Sequence, residues 1–341
     1  MPKSWFKISA VIVLTAFCAN AQTAPHMQSF PLHDPKGLIA PKVKMEATQY
    51  LGRKCVRITM EGEDHEGLVL LPGTDFQDGS IEADIAIKSL LPPDVKYPGF
   101  AGLAFRARSD ALHYDAFYLR PGNSAADDQA MQNHSVQYIE APDFGWYRLR
   151  REWPSLYESH ADFASQAWTH VRIEVTGRTA KLYLNGSVKP SLMVDGLMGE
   201  DLHGAVGLWS YTDEAAYFSN VKITRASPQD LKNGADIAGS WEMQFAGDAN
   251  AGEASMRLQR EGNTVTGKWS GPLGENRAIT GSWRNGYVEL SFAGEWPKDS
   301  RRGVPGPVNV FFAGWIDGDS VQGRMRVEGR SDGVWVANRK E

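Results

Sequence analysis

Residues 99–146 concentrate tyrosine, tryptophan and arginine, side chains that together can hold a polyhydroxylated ligand. At the centre of this stretch, residues 113–121, strand alternation turns Phe117 and Leu119 to one side. The other side receives Tyr114, Tyr118 and Arg120. Sugar rings stack their C–H faces on aromatic rings, and arginine offers a rigid fork of donors to hydroxyl or carboxylate oxygens. We therefore predict a core on the Phe117 side and a solvent-facing groove on the Tyr118 side.

A second alternating run, residues 103–108, precedes this strand and is predicted to pair with it as a hairpin. Its alternation places Arg106 on the same face as Tyr118. The same side-chain types recur downstream and add further candidates for ligand binding: Gln137, Tyr138, Trp146 and Arg148. These residues and those of the central strand form the predicted binding set.

Two carboxylates near the central strand, Glu140 and Asp143, are candidates for the acid and base of glycoside hydrolysis, although nothing in their spacing requires that role. The histidines are scattered, and no pair has the spacing of a transition-metal site. The sequence also lacks a P-loop, a dinucleotide fingerprint and a Gly-x-Ser-x-Gly elbow. We predict no cofactor and no transition metal. Structural calcium stays open, because its oxygen ligands come from loops without a fixed pattern.

The first 21 residues are predicted to be a signal peptide. Lys3 and Lys7 precede a short apolar run at residues 8–17, and Ala19-Asn20-Ala21 fits a cleavage site. The protein is therefore expected in the periplasm or outside the cell, with no membrane insertion after cleavage. Loss of the two lysines takes the net charge from -5 to -7, which disfavours a nucleic-acid partner.

Short strands separated by turn residues fill most of the remaining chain, without helical periodicity between them. We predict an extended N-terminal arm at 22–42, a β-sandwich at 43–226, a linker at 227–236 and a second β domain at 237–341. Eight short strands in about 100 residues fit a small antiparallel barrel. The fold class is therefore all-β, a sandwich followed by an eight-stranded barrel.

Four runs resemble the late strands of concanavalin A-like lectin/glucanase domains. They begin at Trp168 (WTHVRIEV), Ala180 (AKLYLNG), Gly207 (GLWS) and Ala216 (AYFSNVKI). That group includes laminin-G-like modules and 3-keto-disaccharide hydrolase-like domains. The resemblance covers roughly residues 43–225 and implies a jelly-roll sandwich with a ligand groove on its concave sheet. Trp241 and Trp335, near the two ends of the last domain, resemble positions in lipocalin- or avidin-like barrels and imply no particular ligand.

Three functions are compatible with these residues. The first, which we favour, is an exported carbohydrate-binding protein that holds an oligo- or polysaccharide in the aromatic and arginine-lined groove, because binding requires only that face. The second is a glycoside hydrolase or related enzyme of the 3-keto-disaccharide hydrolase-like group, which requires two positioned carboxylates. The third is an extracellular protein-interaction module, since laminin-G-like domains also bind proteins.

Overall fold

The computed structural model describes residues 26–41, 43–60, 66–92, 94–227, 236–247, 251–284, 286–298 and 304–340. The predicted signal peptide and most of the predicted linker lie outside these ranges. The described chain is built almost wholly from β-strands, which confirms the all-β prediction. None of its helices is long and apolar enough to cross a membrane.

Residues 26–225 supply fourteen strands and three short helices. They are, in chain order, β1 (His26–Phe30), β2 (Val43–Tyr50), β3 (Arg53–Met60), β4 (Glu66–Leu70), β5 (Gly79–Ser89), β6 (Ala101–Ala107), β7 (Tyr114–Leu119), α1 (Pro121–Ser124), α2 (Gln129–Gln132), β8 (Val136–Ala141), α3 (Trp146–Glu152), β9 (Glu158–Ser159), β10 (Thr169–Thr176), β11 (Thr179–Leu184), β12 (Leu192–Asp195), β13 (Ala205–Tyr211) and β14 (Glu214–Arg225).

These strands form two antiparallel sheets. One sheet has the order β12-β11-β10-β5-β14-β3-β2, and β1 also pairs with β14. Strand β1 lies inside the segment predicted to be an extended arm. The second sheet has the order β4-β13-β6-β7-β8-β9. Alternating apolar side chains of both sheets meet in one core, which includes Phe117 and Leu119 as predicted.

A β-bulge in β6 overturns the predicted orientation of Arg106. Ala104 and Ala107 both lie on the Tyr118 side of the sheet, with two residues between them instead of one. Arg106 takes the extra position with a positive φ of 54°. Its side chain therefore turns inward, and the guanidinium donates to the carbonyls of Gln77 and Gly177 and pairs with Asp78 at 3.3 Å.

The remaining strands close into an antiparallel barrel, as predicted. Its inward side chains form a packed core of their own that contains Trp241, Trp269 and Trp335. The strands are β15 (Gly239–Gly247), β16 (Ala251–Glu261), β17 (Thr264–Gly271), β18 (Gly274–Arg284), β19 (Tyr287–Trp296), β20 (Gly306–Asp317), β21 (Ser320–Val327) and β22 (Ser331–Arg339), and β22 pairs with β15.

The barrel packs directly on the sandwich. Tyr287 of β19 joins the sandwich core and meets Phe144 edge to face, with 5.7 Å between ring centroids. Nearby, the Arg178 guanidinium lies 3.4 Å from the centroid of the Trp315 ring. The two bodies therefore share apolar and cation–π contacts in addition to the chain that joins them.

Replacing Arg106 with methionine should destabilise the protein by about 3–5 kcal/mol, because the carbonyls of Gln77 and Gly177 and the carboxylate of Asp78 would all lose the buried guanidinium. Arg108→Met is the matched control, since Arg108 is 41% exposed and pairs with Asp201 at the surface. It should cost about 0–1 kcal/mol. Urea unfolding of both variants tests this. Equal stabilities would contradict the inward position of Arg106.

Candidate functional site

A groove of about 1100 Å³ runs along the face of the second sheet that points away from the core. Its floor comes from β4, β13, β7 and β8 and from Phe100 just before β6, and its walls come from the loops around residues 110–113 and 141–146 and from the start of α3. Most of its lining is apolar or aromatic, with a few charged groups among the rings: Phe100, Tyr114, Tyr118, Trp146, Trp209, Tyr211, Glu66, Arg120, Glu140 and Arg150.

Strand register arranges the floor in two rows. In the first row, Trp209, Gly102 and Tyr118 are direct neighbours across β13, β6 and β7. Gly102 has no side chain to separate the rings, so Trp209 and Tyr118 stack with centroids 4.7 Å apart. In the second row, Tyr211 and Phe100 lie side by side, with centroids 5.3 Å apart. The groove floor is thus a continuous aromatic surface.

Tyr118 and Arg120 lie on the groove side, as predicted, but neither is open to solvent. Tyr118 is 2% exposed and Arg120 is 5% exposed. Trp209 covers one side of the Tyr118 ring, and the Arg120 guanidinium lies 5.1 Å from its centroid. The prediction of solvent exposure was wrong, because alternation gives the face of a side chain and not the cover that neighbouring strands supply.

The Arg120 guanidinium sits among three aromatic rings. Its carbon is 5.5 Å from the Phe100 centroid, 5.1 Å from that of Tyr118 and 5.9 Å from that of Trp146. It donates to the Tyr118 hydroxyl at 2.6 Å and to the His134 carbonyl at 3.3 Å. The group is therefore held in one orientation at the groove floor.

Tyr114 and Glu66 lie near the β4 edge of the groove. The Tyr114 hydroxyl accepts a hydrogen bond from the Trp209 indole at 3.1 Å. Burial against these rings raises the pKa of the Glu66 carboxyl, although hydrogen bonds from Tyr114 and Trp209 oppose the shift. This part of the groove combines hydrogen-bonding groups with an acid that resists ionisation.

Two of the predicted residues, Trp146 and Arg148, lie on different faces of helix α3. Trp146 and Arg150 are four residues apart, so they share the face that lines the groove, and Trp146 is 45% exposed there. Arg148 points elsewhere. It stacks on Phe144 at 4.0 Å and pairs with Glu289 of the barrel at 2.5 Å. Arg148 is thus a contact between sandwich and barrel, outside the groove lining.

Gln137 and Tyr138 also lie outside the groove lining. Gln137 is on the groove side of β8 opposite Tyr118, but it is fully covered. Tyr138 is on the core side, where its hydroxyl donates to Asp115 and accepts from the Met198 amide at 2.7 Å. Both side chains are buried within the sandwich, whereas Tyr114, Tyr118, Arg120 and Trp146 are brought together at the groove.

The two candidate catalytic carboxylates have different surroundings. Glu140 lines the groove and accepts a hydrogen bond from the Phe144 amide at 3.1 Å. Burial, reinforced by the charges of Asp115 and Asp143, raises its pKa to about 8. Asp143 instead forms an ion pair with Arg284 of the barrel. Glu140 can serve as a proton donor near neutral pH, while Asp143 is engaged in the contact with the barrel.

Several groove residues were not predicted from the sequence, among them Phe100, Trp209, Tyr211, Glu66 and Arg150. Trp209 and Tyr211 alternate along β13, which is a usable signal, but the pairing of β13 with β6 joins residues about 100 positions apart. No local sequence pattern indicates that β13 pairs with β6. Within the described ranges, no three His, Cys, Asp or Glu side chains are grouped as a metal site would need, and structural calcium stays a sequence-based prediction.

No protein-family model and no curated protein matches the sequence. Solved structures with a related shape include the carbohydrate-binding module CBM66 from Bacillus subtilis, at 19% identity over 55% of this chain and 95% of that one, with a TM-score of 0.38. A Bacillus subtilis protein of unknown function with a galectin-like fold has 12% identity, 61% and 99% coverage, and a TM-score of 0.40. The exoplasmic/lumenal domain of VIP36 in its Ca²⁺-bound form has 12% identity, 60% and 94% coverage, and a TM-score of 0.42. All three scores lie below 0.5, so we infer a ligand only from the groove itself.

The raised pKa of Glu140 predicts a pH-dependent stability. Folding favours the protonated acid, so its stabilising effect is complete below about pH 4.5 and is lost as the pH rises through about 8. Glu140→Gln removes this titration, and its amide oxygen can still accept from Phe144. Relative to wild type, the variant should gain about 1.4 kcal/mol per pH unit within that window. Urea unfolding across the window measures the gain, and a difference independent of pH would contradict it.

Proposed function

We propose that the protein is an exported carbohydrate-binding protein that holds an oligo- or polysaccharide in the groove of the second sheet. The observation that carries this proposal is the convergence of partly exposed rings, Trp146, Phe100 and Tyr211, with polar groups in one open groove. Aromatic faces match the C–H faces of sugar rings, and the polar groups between them match hydroxyls. Export rests on the predicted signal peptide.

The size and polarity of the groove favour a chain of sugars over a single small molecule. A volume of about 1100 Å³ lies just above the range of ordinary ligand pockets, which is roughly 300–1000 Å³. Asn123, in the lining, offers a buried amide oxygen that has no hydrogen-bond partner among the described residues. A ligand that displaces the groups covering that oxygen would satisfy it with a hydroxyl. The same lining supplies both the stacking and the hydrogen bonds that sugar recognition needs.

Trp146→Ala should weaken glycan binding by about 1–2 kcal/mol, roughly a five- to thirtyfold rise in Kd, because it removes the most exposed ring of the groove. Tyr147→Ala is the matched control, since Tyr147 is the next residue and 62% exposed but is absent from the groove lining. It should leave Kd unchanged. A glycan array followed by isothermal titration tests both variants. Equal losses in the two variants would exclude this groove as the binding site.

Glu140 supports a second candidate function, cleavage of a glycoside. A groove-lining carboxyl with a pKa of about 8 holds its proton at neutral pH, as a general acid must. If the protein hydrolyses its glycan, Glu140→Gln should reduce turnover by about a hundredfold or more. Asp143→Asn, on a carboxylate paired with the barrel, should change turnover much less. The test is to incubate the wild-type protein with each glycan that binds and to analyse the products. If no product is released, this second function is excluded.

A further inference from the structure

Arg120 is a buried cation for which the described chain supplies no carboxylate partner. Of its five N–H hydrogens, one goes to the Tyr118 hydroxyl and one to the His134 carbonyl, and both acceptors are uncharged groups. Its Nε has no hydrogen-bond partner among the described residues. Arg120 is 95% buried and lines the groove, and its Nε is fully covered, so the donors left for a ligand in the groove are the two unused Nη hydrogens.

Glu158, a buried carboxylate beside the groove residues His134 and Arg150, is already committed to Arg150. Glu158 receives two nitrogens of Arg150, with Nε at 2.9 Å from one oxygen and Nη2 at 2.6 Å from the other. His134 Nδ1 lies 2.9 Å from the same group, and burial lowers the pKa of that histidine, which favours its neutral form. Glu158 therefore balances the charge of Arg150, and the guanidinium of Arg120 keeps its positive charge at this end of the groove.

The aromatic rings around Arg120 do not replace a counter-ion. Cation–π contacts contribute about 0.5–2 kcal/mol, whereas taking an ion out of water costs several kcal/mol. Buried charges in proteins are for this reason paired with opposite charges. A guanidinium held in place by rings, with donors left over, is arranged to receive an anion.

The acidic groups of the groove do not supply the anion that Arg120 lacks. Glu66 lies near the β4 edge, several strands from Arg120, and its pKa is raised by burial. Glu140 also has a raised pKa, so it is mostly protonated at neutral pH. Asp110 also lines the groove and stays ionised at neutral pH, because hydrogen bonds lower its pKa, but it lies in the loop between β6 and β7 and is exposed to solvent. An incoming anion therefore meets the positive charge of Arg120 at the floor, and its repulsion by Asp110 is screened by solvent.

We propose, on the basis of the proposed carbohydrate-binding function, that the ligand is an acidic sugar chain whose carboxylate pairs with Arg120. The flat guanidinium presents parallel N–H donors at the spacing of the two oxygens of a carboxylate. The rings of Phe100 and Tyr211 extend from Arg120 toward the β4 edge and provide stacking surfaces for neighbouring sugars. Uronic acids carry such a carboxylate on an ordinary sugar ring, and they are the ligands that we propose.

The test compares matched ligands on the wild-type protein first. A glycan array should carry uronate-containing chains of several sugars, each next to its methyl ester, together with neutral and sulfated chains. Esterification removes the charge and keeps the ring, so it isolates the interaction with Arg120. The acid form should bind at least tenfold more tightly than its ester, as expected for a charge-assisted hydrogen-bonded pair.

Variants then assign the effect to one residue. Arg120→Gln should abolish the preference for the acid over its ester. Arg151→Gln, the matched control, removes the same charge from a side chain that is 57% exposed and outside the groove lining, and it should keep the preference. Arg120→Lys retains the charge without the planar fork and should give an intermediate preference for the acid over its ester. This variant keeps the test measurable if Arg120→Gln does not fold.

Each outcome bears on a different claim. Equal binding of acids and esters, or a preference that survives Arg120→Gln, overturns the acidic-ligand inference and leaves the carbohydrate-binding function in place. A preference for sulfated over carboxylated chains overturns the choice of carboxylate. Failure of every chain on the array to bind overturns the proposed function itself, and the inference with it.

Discussion

The stacking of Trp209 on Tyr118 across Gly102 is the constraint on which the groove depends. A Cβ on Gly102 would lie 2.0 Å from the Phe117 carbonyl oxygen and 2.7 Å from the Tyr118 Cβ, so only glycine lets the two strands approach this closely. The stacked pair fixes the position of the Tyr118 hydroxyl, which in turn accepts from Arg120. The same Trp209 donates to Tyr114. One residue without a side chain therefore organises a floor that reaches across three strands.

Local periodicity predicted much of this fold, and its failures have specific physical causes. Alternation assigned Phe117 to the core and Tyr118 to the opposite face, and the turn-separated strands after residue 237 were recognised as a barrel. It misplaced Arg106 because a bulge inserts one residue and reverses the facing of a side chain. It could not identify Trp209 as the neighbour of Tyr118, because strand order in a sheet is set by packing between distant segments. The predicted solvent exposure of Tyr118 and Arg120 was wrong for the same reason.

Helix α3 is where the groove and the barrel meet, since its two faces serve different partners. Residues four apart on a helix share a face, so Trp146 and Arg150 line the groove. Arg148 lies on another face and pairs with Glu152 on the same helix and with Glu289 of the barrel. A sequence search for arginines near aromatic residues cannot separate Arg148 from Arg150. The direction of each side chain becomes clear only when the helix and its neighbours are placed.

This arrangement gives the barrel a part in shaping the groove. The segment just before α3 contacts the barrel through Phe144 on Tyr287 and Asp143 on Arg284. On the other side of this segment, at the start of α3, Trp146 lies in the groove wall. The Trp146 ring contacts Arg120, Arg150 and Tyr147, and the backbone that carries it is held from the barrel side. If loosening the barrel shifts that backbone, then binding of a ligand against Trp146 and docking of the barrel favour each other by the same free energy.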